Sequence, residues 1–479
     1  MMDSLEKHRR SQWKLFSGII GSAVSVFLVC IGFVLAENGV QVFLLGIACS
    51  TMLLLLSPVY FNRNYFLFEP HTYVMASAAI GMFLKVFYLF FIADSSGVVT
   101  DRLLLGLGHR VLEFGSFVIF VGFFCYVIGY FLIGMKGSRV RIFSRYGYSV
   151  PKAATFGWLL FLSSLIFFFL HIAEVGFSYT GFSDLSQKRF LGESGLPGDR
   201  FGKLSYIYYK LSLLSKAALY VSFYTIVKYR HRWVSTHGLL FVFCFILNMA
   251  VPFFVSNKAG LVLPIFDLMV IAYIITGELK LQRTVLVILA TVAVLGLAIS
   301  LRGGDSISNF SVLDKIFLNR YFVDVTKTAH IVNAVPLSID YFEGRSFVGW
   351  LNLVLPSSMD FDSIYFGNMG FYLGETVFFQ PSSGVTPGII AESYLNFGLV
   401  GVLLMLFAVG MGMRYIHNVL LVGADNAIVT ILYAIFVVRA PTMLFNTSLS
   451  VALLKTISDM LVVVIFCYVI KSRRKNSVY

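Results

Sequence analysis

Glu392, Tyr394 and Asn396 stand in the run Glu-Ser-Tyr-Leu-Asn-Phe-Gly, directly after Pro381-Ser-Ser-Gly384-Val-Thr-Pro387-Gly388. Proline and glycine forbid a continuous helix across that stretch and supply turn geometry instead. An uninterrupted apolar run follows, so an acid, a phenol and an amide are set at the mouth of a hydrophobic span. An ionisable group in that position is costly and marks a functional site by default. A carboxylate there is suited to accepting a proton from a hydroxyl. Its competing role is to anchor an arginine, Arg302 or Arg439, through a salt bridge.

The cations suggest a second piece of chemistry. Lys188, Arg189, Arg200 and Lys203 cluster in one polar segment, Lys258 lies in Ser-Asn-Lys-Ala-Gly, and Arg302 directly follows an apolar run. Arg320, Lys327 and Arg345 fall in a long segment after it, and Arg439 lies inside an apolar stretch. The ligand that suits converging Arg and Lys groups is a phosphate or pyrophosphate, because the guanidinium fork pairs with its oxygens bidentately. Arg189, Lys258, Arg302, Arg320, Lys327 and Arg439 are the candidates for that site; local ion pairs and snorkelling to lipid headgroups are the alternative. Residues 313–332 have helical character, which puts Arg320, Asp324 and Lys327 on one face at i, i+4 and i, i+3 spacing.

These residues must be positioned by membrane-embedded helices. The chain of 479 residues is 58% hydrophobic and 13% charged, with 49 Phe and a mean hydropathy of +0.84. Soluble domains carry about 25% charged residues. Apolar runs of about 20 residues predict twelve spans, near 15–36, 39–59, 70–93, 110–134, 153–173, 204–227, 237–255, 259–276, 284–300, 395–415, 427–445 and 449–470. The basic N-terminus runs straight into the first span with no small-residue cleavage site, so that span is expected to remain as an anchor. The expected fold is all-α: one polytopic domain over 1–479, with long polar segments at 174–203 and 301–394, the second forming a cap. The N-terminus, residues 136–152, Lys-Tyr-Arg-His-Arg-Trp and Lys-Ser-Arg-Arg-Lys-Asn are short, basic and all on one face, which the positive-inside rule makes the cytoplasm. Both termini then lie there and the two long segments face outward. The same rule accounts for the net charge of +13 without a nucleic-acid partner. All five cysteines sit in apolar runs, so neither a disulfide framework nor a Cys/His metal site is expected.

An ordered set of features resembles the Wzy-type O-antigen polymerases. They are the dozen spans, Ser-Asn-Lys258-Ala-Gly before a Leu/Ile-rich span, Ser-Leu-Arg302-Gly-Gly after the next, a long loop, Ser-Ser-Gly-Val-Thr-Pro-Gly-Ile-Ile-Ala-Glu392-Ser-Tyr-Leu-Asn-Phe-Gly, and a late span with Arg439. The detailed resemblance covers 255–445. It implies a fold similar to other membrane-embedded lipid-dependent glycosyltransferases, and polymerisation of undecaprenyl-pyrophosphate-linked oligosaccharide repeat units at the periplasmic face of the bacterial inner membrane. The implied partners are that lipid-linked oligosaccharide, the lipid bilayer, and a chain-length regulator and flippase of the same pathway. Glu392 and Arg302 are then the catalytic candidates, and Tyr394 and Asn396 the sugar-binding ones. No cofactor and no metal is called for, since arginines can meet the pyrophosphate charge; Asp360-Phe-Asp362 is the one formal metal-type motif in the outer segments. Two relatives in function compete. An O-antigen ligase carries a His in the last large loop, where this chain has Glu392. A flippase is expected to show internal repeats and broken mid-membrane helices, neither of which the sequence displays.

Overall fold

The computed structural model describes residues 40–61, 68–91, 109–132, 146–175, 203–231, 234–254, 258–278, 323–349, 351, 369–378, 385–422 and 426–473. Within them the chain is mostly helical, with short turns and irregular stretches between helices and two three-residue strands, Tyr146–Tyr148 and Lys471–Arg473, which pair antiparallel. Six described helices are long and apolar enough to cross a membrane: Arg110–Leu132, Val150–Glu174, Thr236–Phe254, Gly388–Leu421, Ala427–Asn446 and Leu449–Val469. Phe43–Ser57 and Gly260–Thr276 are shorter apolar helices. This is a multi-pass membrane protein. The spans expected near 15–36 and 284–300 lie outside the described residues.

The helices group into two compact units, each assembled from separated stretches of chain. The first contains Met1–Lys136, Phe310–His417 and Ala440–Leu454; the second contains Gly137–Asn309, Asn418–Arg439 and Lys455–Tyr479. In the first, the helix His109–Leu132 is central. The helices Val40–Phe61 and Val325–Ala334 pack on it, and it crosses Gly388–Val422 where Gly129 meets the Phe407 carbonyl and Gly410 meets that of Tyr126. A Cβ at either glycine collides with the facing backbone. Small residues at a crossing let membrane helices approach closely enough for dispersion to hold them without a hydrophobic drive. In the second unit, Ser215–Tyr229 packs on Val150–Val175 and Thr236–Phe254.

Three helices depart from the expected straight spans. The span expected at 204–227 is two helices, Lys203–Ser212 and Ser215–Tyr229. At their junction the Ser215 N–H donates to Ser164 Oγ (3.0 Å) and Asn248 Nδ2 donates to Ser215 Oγ (3.0 Å), so side chains take over from the interrupted ladder. The span expected at 70–93 contains a π-helical turn, Ala79–Leu84, ahead of Lys85–Phe91. The third is Gly388–Val422, which starts seven residues before the predicted 395 and is broken at Phe397 (φ −143°, ψ 22°) and Gly398 (φ 60°, ψ −149°). Only glycine holds the Gly398 conformation at no steric cost. Glu392 therefore does not open one continuous span. It lies on a short helical segment, Gly388 to Asn396, that ends in a break.

Candidate functional site

The break organises a buried polar cluster in the first unit. Glu392 is 0% exposed. Its Oε1 accepts a hydrogen bond from Ser346 Oγ at 2.8 Å, and its Oε2 accepts from the Leu449 N–H at 2.6 Å. Leu449 begins the helix Leu449–Val469, so the carboxylate caps a neighbouring helix and meets the positive end of its dipole. Asn396 Nδ2 donates to Ser346 Oγ (2.7 Å) and to the Glu392 carbonyl (2.7 Å). Ser450 Oγ donates to the carbonyls of Ser346 and Phe347.

The segment Tyr341–Phe347 closes over the broken end. A helix terminus leaves carbonyls without partners, and here two backbone N–H groups supply them while a third meets the Asn396 side chain. Phe342 N–H donates to the Leu395 carbonyl (2.9 Å), Glu343 N–H to that of Asn396 (3.2 Å), and Gly344 N–H to Asn396 Oδ1 (2.8 Å). Reaching all three bends the chain through left-handed geometry, at φ 51° for Glu343 and φ 87° for Gly344. Glu392, Asn396 and Ser346 are thus brought together across 46 to 50 residues of sequence.

Several sequence expectations change. Glu392 was expected near the interface, within reach of an incoming hydroxyl. Burial and two short hydrogen bonds leave neither oxygen open. As an anchor it was expected to hold Arg302 or Arg439, yet its described partners are a hydroxyl and a backbone N–H. Asn396, a sugar-binding candidate, spends its amide within the cluster, and Tyr394 is also buried, packed edge-on against Phe114. The common cause is the break: it turns this stretch into a folded-in corner instead of a rim.

Lys327 is buried too. The helix expected through 313–332 begins only at Val325, with Asp324 as its extended N-cap (φ −98°, ψ 117°) accepting from the Lys327 N–H at 3.1 Å. Asp324 and Lys327 therefore do not stand as a ladder on one helical face. Asp324 instead pairs with Lys85, which the sequence reading passed over, at 2.7 Å, and Thr326 Oγ1 bridges the two. Burial pushes the Asp324 carboxyl up, but the Lys85 and Lys327 ammonium groups and the hydrogen bonds outweigh it and hold it below the usual carboxylate range.

Arg439 belongs to an ion network in the second unit. Its Nη2 lies 2.8 Å from Asp267 Oδ2 and 2.8 Å from the Tyr220 hydroxyl, its Nε donates to the same carboxylate at 3.3 Å, and its Nη1 pairs with Asp459. Lys216 stands 3.6 Å from Asp459. With Nε, Nη1 and Nη2 all engaged by carboxylates, no fork faces a phosphate. This corrects the pyrophosphate assignment for Arg439. A third set joins Glu69 to Arg414 (2.8 Å) and to the Tyr130 hydroxyl (2.8 Å), with His417 at 3.7 Å. Lys85, Lys216, Asp267, Arg414 and Asp459 share one signal that the sequence reading left unused: a charge inside an apolar run needs a partner on another helix.

Arg189, Arg302, Arg320, Asp360 and Asp362 lie outside the described residues. Lys258 is placed at the start of the helix Lys258–Thr276, by its backbone alone. Among the described residues there is no cluster of three His, Cys, Asp or Glu side chains that suits a metal ion. No protein-family model, no curated protein and no solved structure matches this chain.

Proposed function

We propose that this chain is a bacterial inner-membrane glycosyltransferase that joins undecaprenyl-pyrophosphate-linked oligosaccharide repeat units at the periplasmic face, as the polymerases it resembles do. The observation that carries the reading is the Pro/Gly-rich segment leading into Glu392–Asn396. It stands where the resemblance places the end of the main loop, and the residues that follow, Gly388 to Asn396, fold as a short helical corner tied to the segment Tyr341–Phe347. Glycosyl transfer needs the anomeric carbon freed from a pyrophosphate and a proton taken from the acceptor hydroxyl. Arg302 leads the set proposed to meet the pyrophosphate charge, with Arg189, Lys258 and Arg320 beside it; preorganised cations aimed at a leaving group are the largest single means of lowering such a barrier. The Glu392 cluster is proposed to hold the corner on which the acceptor end is received. The long segments 174–203 and 301–394 then face the periplasm, both termini face the cytoplasm, and a flippase and chain-length regulator act beside the chain.

A flippase for the same lipid-linked sugar is the second reading, and two observations favour it. The break at Phe397–Gly398 and the intramembrane network around Arg439 are devices that transporters use, and the first of them was not visible in the sequence. Purified protein in vesicles separates the readings. Supplied with lipid-linked repeat units, a polymerase yields a ladder of longer lipid-linked chains, a ligase forms product only when lipid A core is present, and a flippase changes only the sidedness of the lipid. A ladder is the expected result; altered sidedness without lengthening overturns it.

A further inference from the structure

Glu343 is an exposed carboxylate beside this corner. Its side chain is 73% exposed, whereas Glu392, 49 residues on, is sealed by Ser346 and Leu449. The two are joined through the break, since the Glu343 N–H donates to the Asn396 carbonyl and the Gly344 N–H to the Asn396 side chain.

The backbone at Glu343 is unusual. Among the described residues only Arg230 and Glu343 have positive φ without being glycine. Arg230 follows the helix Ser215–Tyr229 as its left-handed C-cap, a place where that geometry is ordinary. Glu343 is the first central residue of the turn closed by the Arg345 N–H on the Phe342 carbonyl (2.9 Å), with Gly344 the second, and a left-handed residue other than glycine costs roughly 1–2 kcal/mol even there. A glycine at 343 would remove that cost, so the side chain is kept at the expense of stability. Strain of this kind collects at functional sites.

The surroundings suit a sugar ring. Tyr341 is 40% exposed and Phe397 50%. Phe397 lies over Gly344, Tyr341 lies over Gly398, and Phe347 packs at a tilt against Phe397 with centroids 6.4 Å apart. An exposed carboxylate thereby shares this corner with two exposed aromatic rings, whose apolar faces suit a pyranose while an acid suits its hydroxyl edge. Arg345, 3.6 Å from Glu343, orients the acid.

We propose that the Tyr341–Glu343–Phe397 surface is the acceptor-sugar subsite and that Glu343, in place of Glu392, is the general base, an inference that rests on the polymerase reading above. The acceptor hydroxyl oxygen attacks the anomeric carbon of the donor and gives its proton to the Glu343 carboxylate. As the new carbon–oxygen bond forms, the bond from that carbon to phosphate breaks, and undecaprenyl pyrophosphate departs with the electron pair. Glu343 then releases the proton to water. Glu392 is a positioning residue: it fixes Ser346 and the corner that carries Glu343.

The test uses full-length protein in vesicles with lipid-linked repeat units extracted from cells lacking this chain. Glu343→Gln is expected to bind the repeat and turn over at least ~100-fold more slowly, the usual scale for loss of a general base. Glu343→Gly is expected to be as slow, to melt no lower than wild type because the backbone strain is relieved, and to regain part of its rate with added formate. A purely structural role would not respond to formate. Tyr341→Ala and Phe397→Ala are expected to raise KM for the acceptor more than they lower kcat. Wild-type protein that fails to lengthen the repeat sinks the polymerase reading and this inference with it. Active wild type with an equally active Glu343→Gln sinks this inference alone, and slow turnover confined to an undestabilised Glu392→Gln moves the base back to Glu392.

Discussion

Glu392 and Arg439 are both buried ionisable groups on apolar helices, and they are accommodated by opposite means. Glu392 is met by neutral donors, a serine hydroxyl and the N–H of a helix start. Arg439 is met by charges, Asp267 and Asp459, with Tyr220 completing the shell. Neutral donors spread over a corner let a group be exchanged for an uncharged one of the same shape. Charge matched to charge does not, because deleting either partner strands the other in a medium of low dielectric. The first arrangement ties segments into one fold and tolerates chemistry beside it. The second locks helices and engages all three nitrogens of the guanidinium within the protein.

The largest effect is therefore expected at the ion network. Arg439→Ala leaves the buried Asp267 carboxylate uncompensated and leaves the part-buried Asp459 with Lys216 alone, and is expected to cost about 3–5 kcal/mol, read as a lower melting temperature and lower folded yield in detergent. Arg439→Met combined with Asp267→Leu is expected to recover much of the loss by replacing the pair with apolar volume. A variant Arg439→Ala that melts like wild type but makes no polymer would break the comparison, returning Arg439 to the substrate.

An intermediate effect is expected at Lys85–Asp324, which mixes the two modes. Asp324→Asn keeps the N-cap acceptor and the Thr326 contact but removes the charge, a loss of about 2 kcal/mol on the scale of hydrogen bonds to charged groups. The sign of its pH dependence follows from a folded value held below the ordinary one. The stabilisation is complete above the unfolded value, about 3.9, and is lost as pH falls through the lower folded value. The melting difference between wild type and Asp324→Asn should stay constant from pH 5 to 8, on that account, and shrink below about pH 4.

The smallest effect is expected at Glu392. In Glu392→Gln the amide oxygen can still accept from the Leu449 N–H, and the amide N–H₂ can donate to Ser346 Oγ once that hydroxyl turns. The expected cost is about 1 kcal/mol, the net value of one neutral hydrogen bond. Ser346→Ala, which strands Glu392 Oε1 and removes one of the two acceptors of Asn396 Nδ2, should melt lower than Glu392→Gln. The reverse order would mean that the charge at the helix start outweighs the side-chain network.

The sequence by itself determined that this chain is an α-helical multi-pass membrane protein, and it located eight of its apolar helices to within a few residues where their ends are described. Span length is set by bilayer thickness and the apolar run by the cost of unsatisfied polarity in lipid; both are local properties that a window of residues carries. It also picked out Glu392, Asn396, Lys327 and Arg439 as uncommon residues in uncommon places. Only the tertiary structure decided what each one touches. Asp324 finds Lys85 across 239 residues, Arg439 finds Asp267 across 172, and Glu392 finds Ser346 across 46. The break at Phe397–Gly398 was likewise hidden, because one glycine in an apolar run is compatible with a straight helix until another segment, here Tyr341–Phe347, offers its N–H groups to the freed carbonyls. Hydropathy reports what a residue costs in lipid. Which partner offsets that cost is a fact of three-dimensional packing, and it is the partner that separates a ligand-binding cation from a structural one.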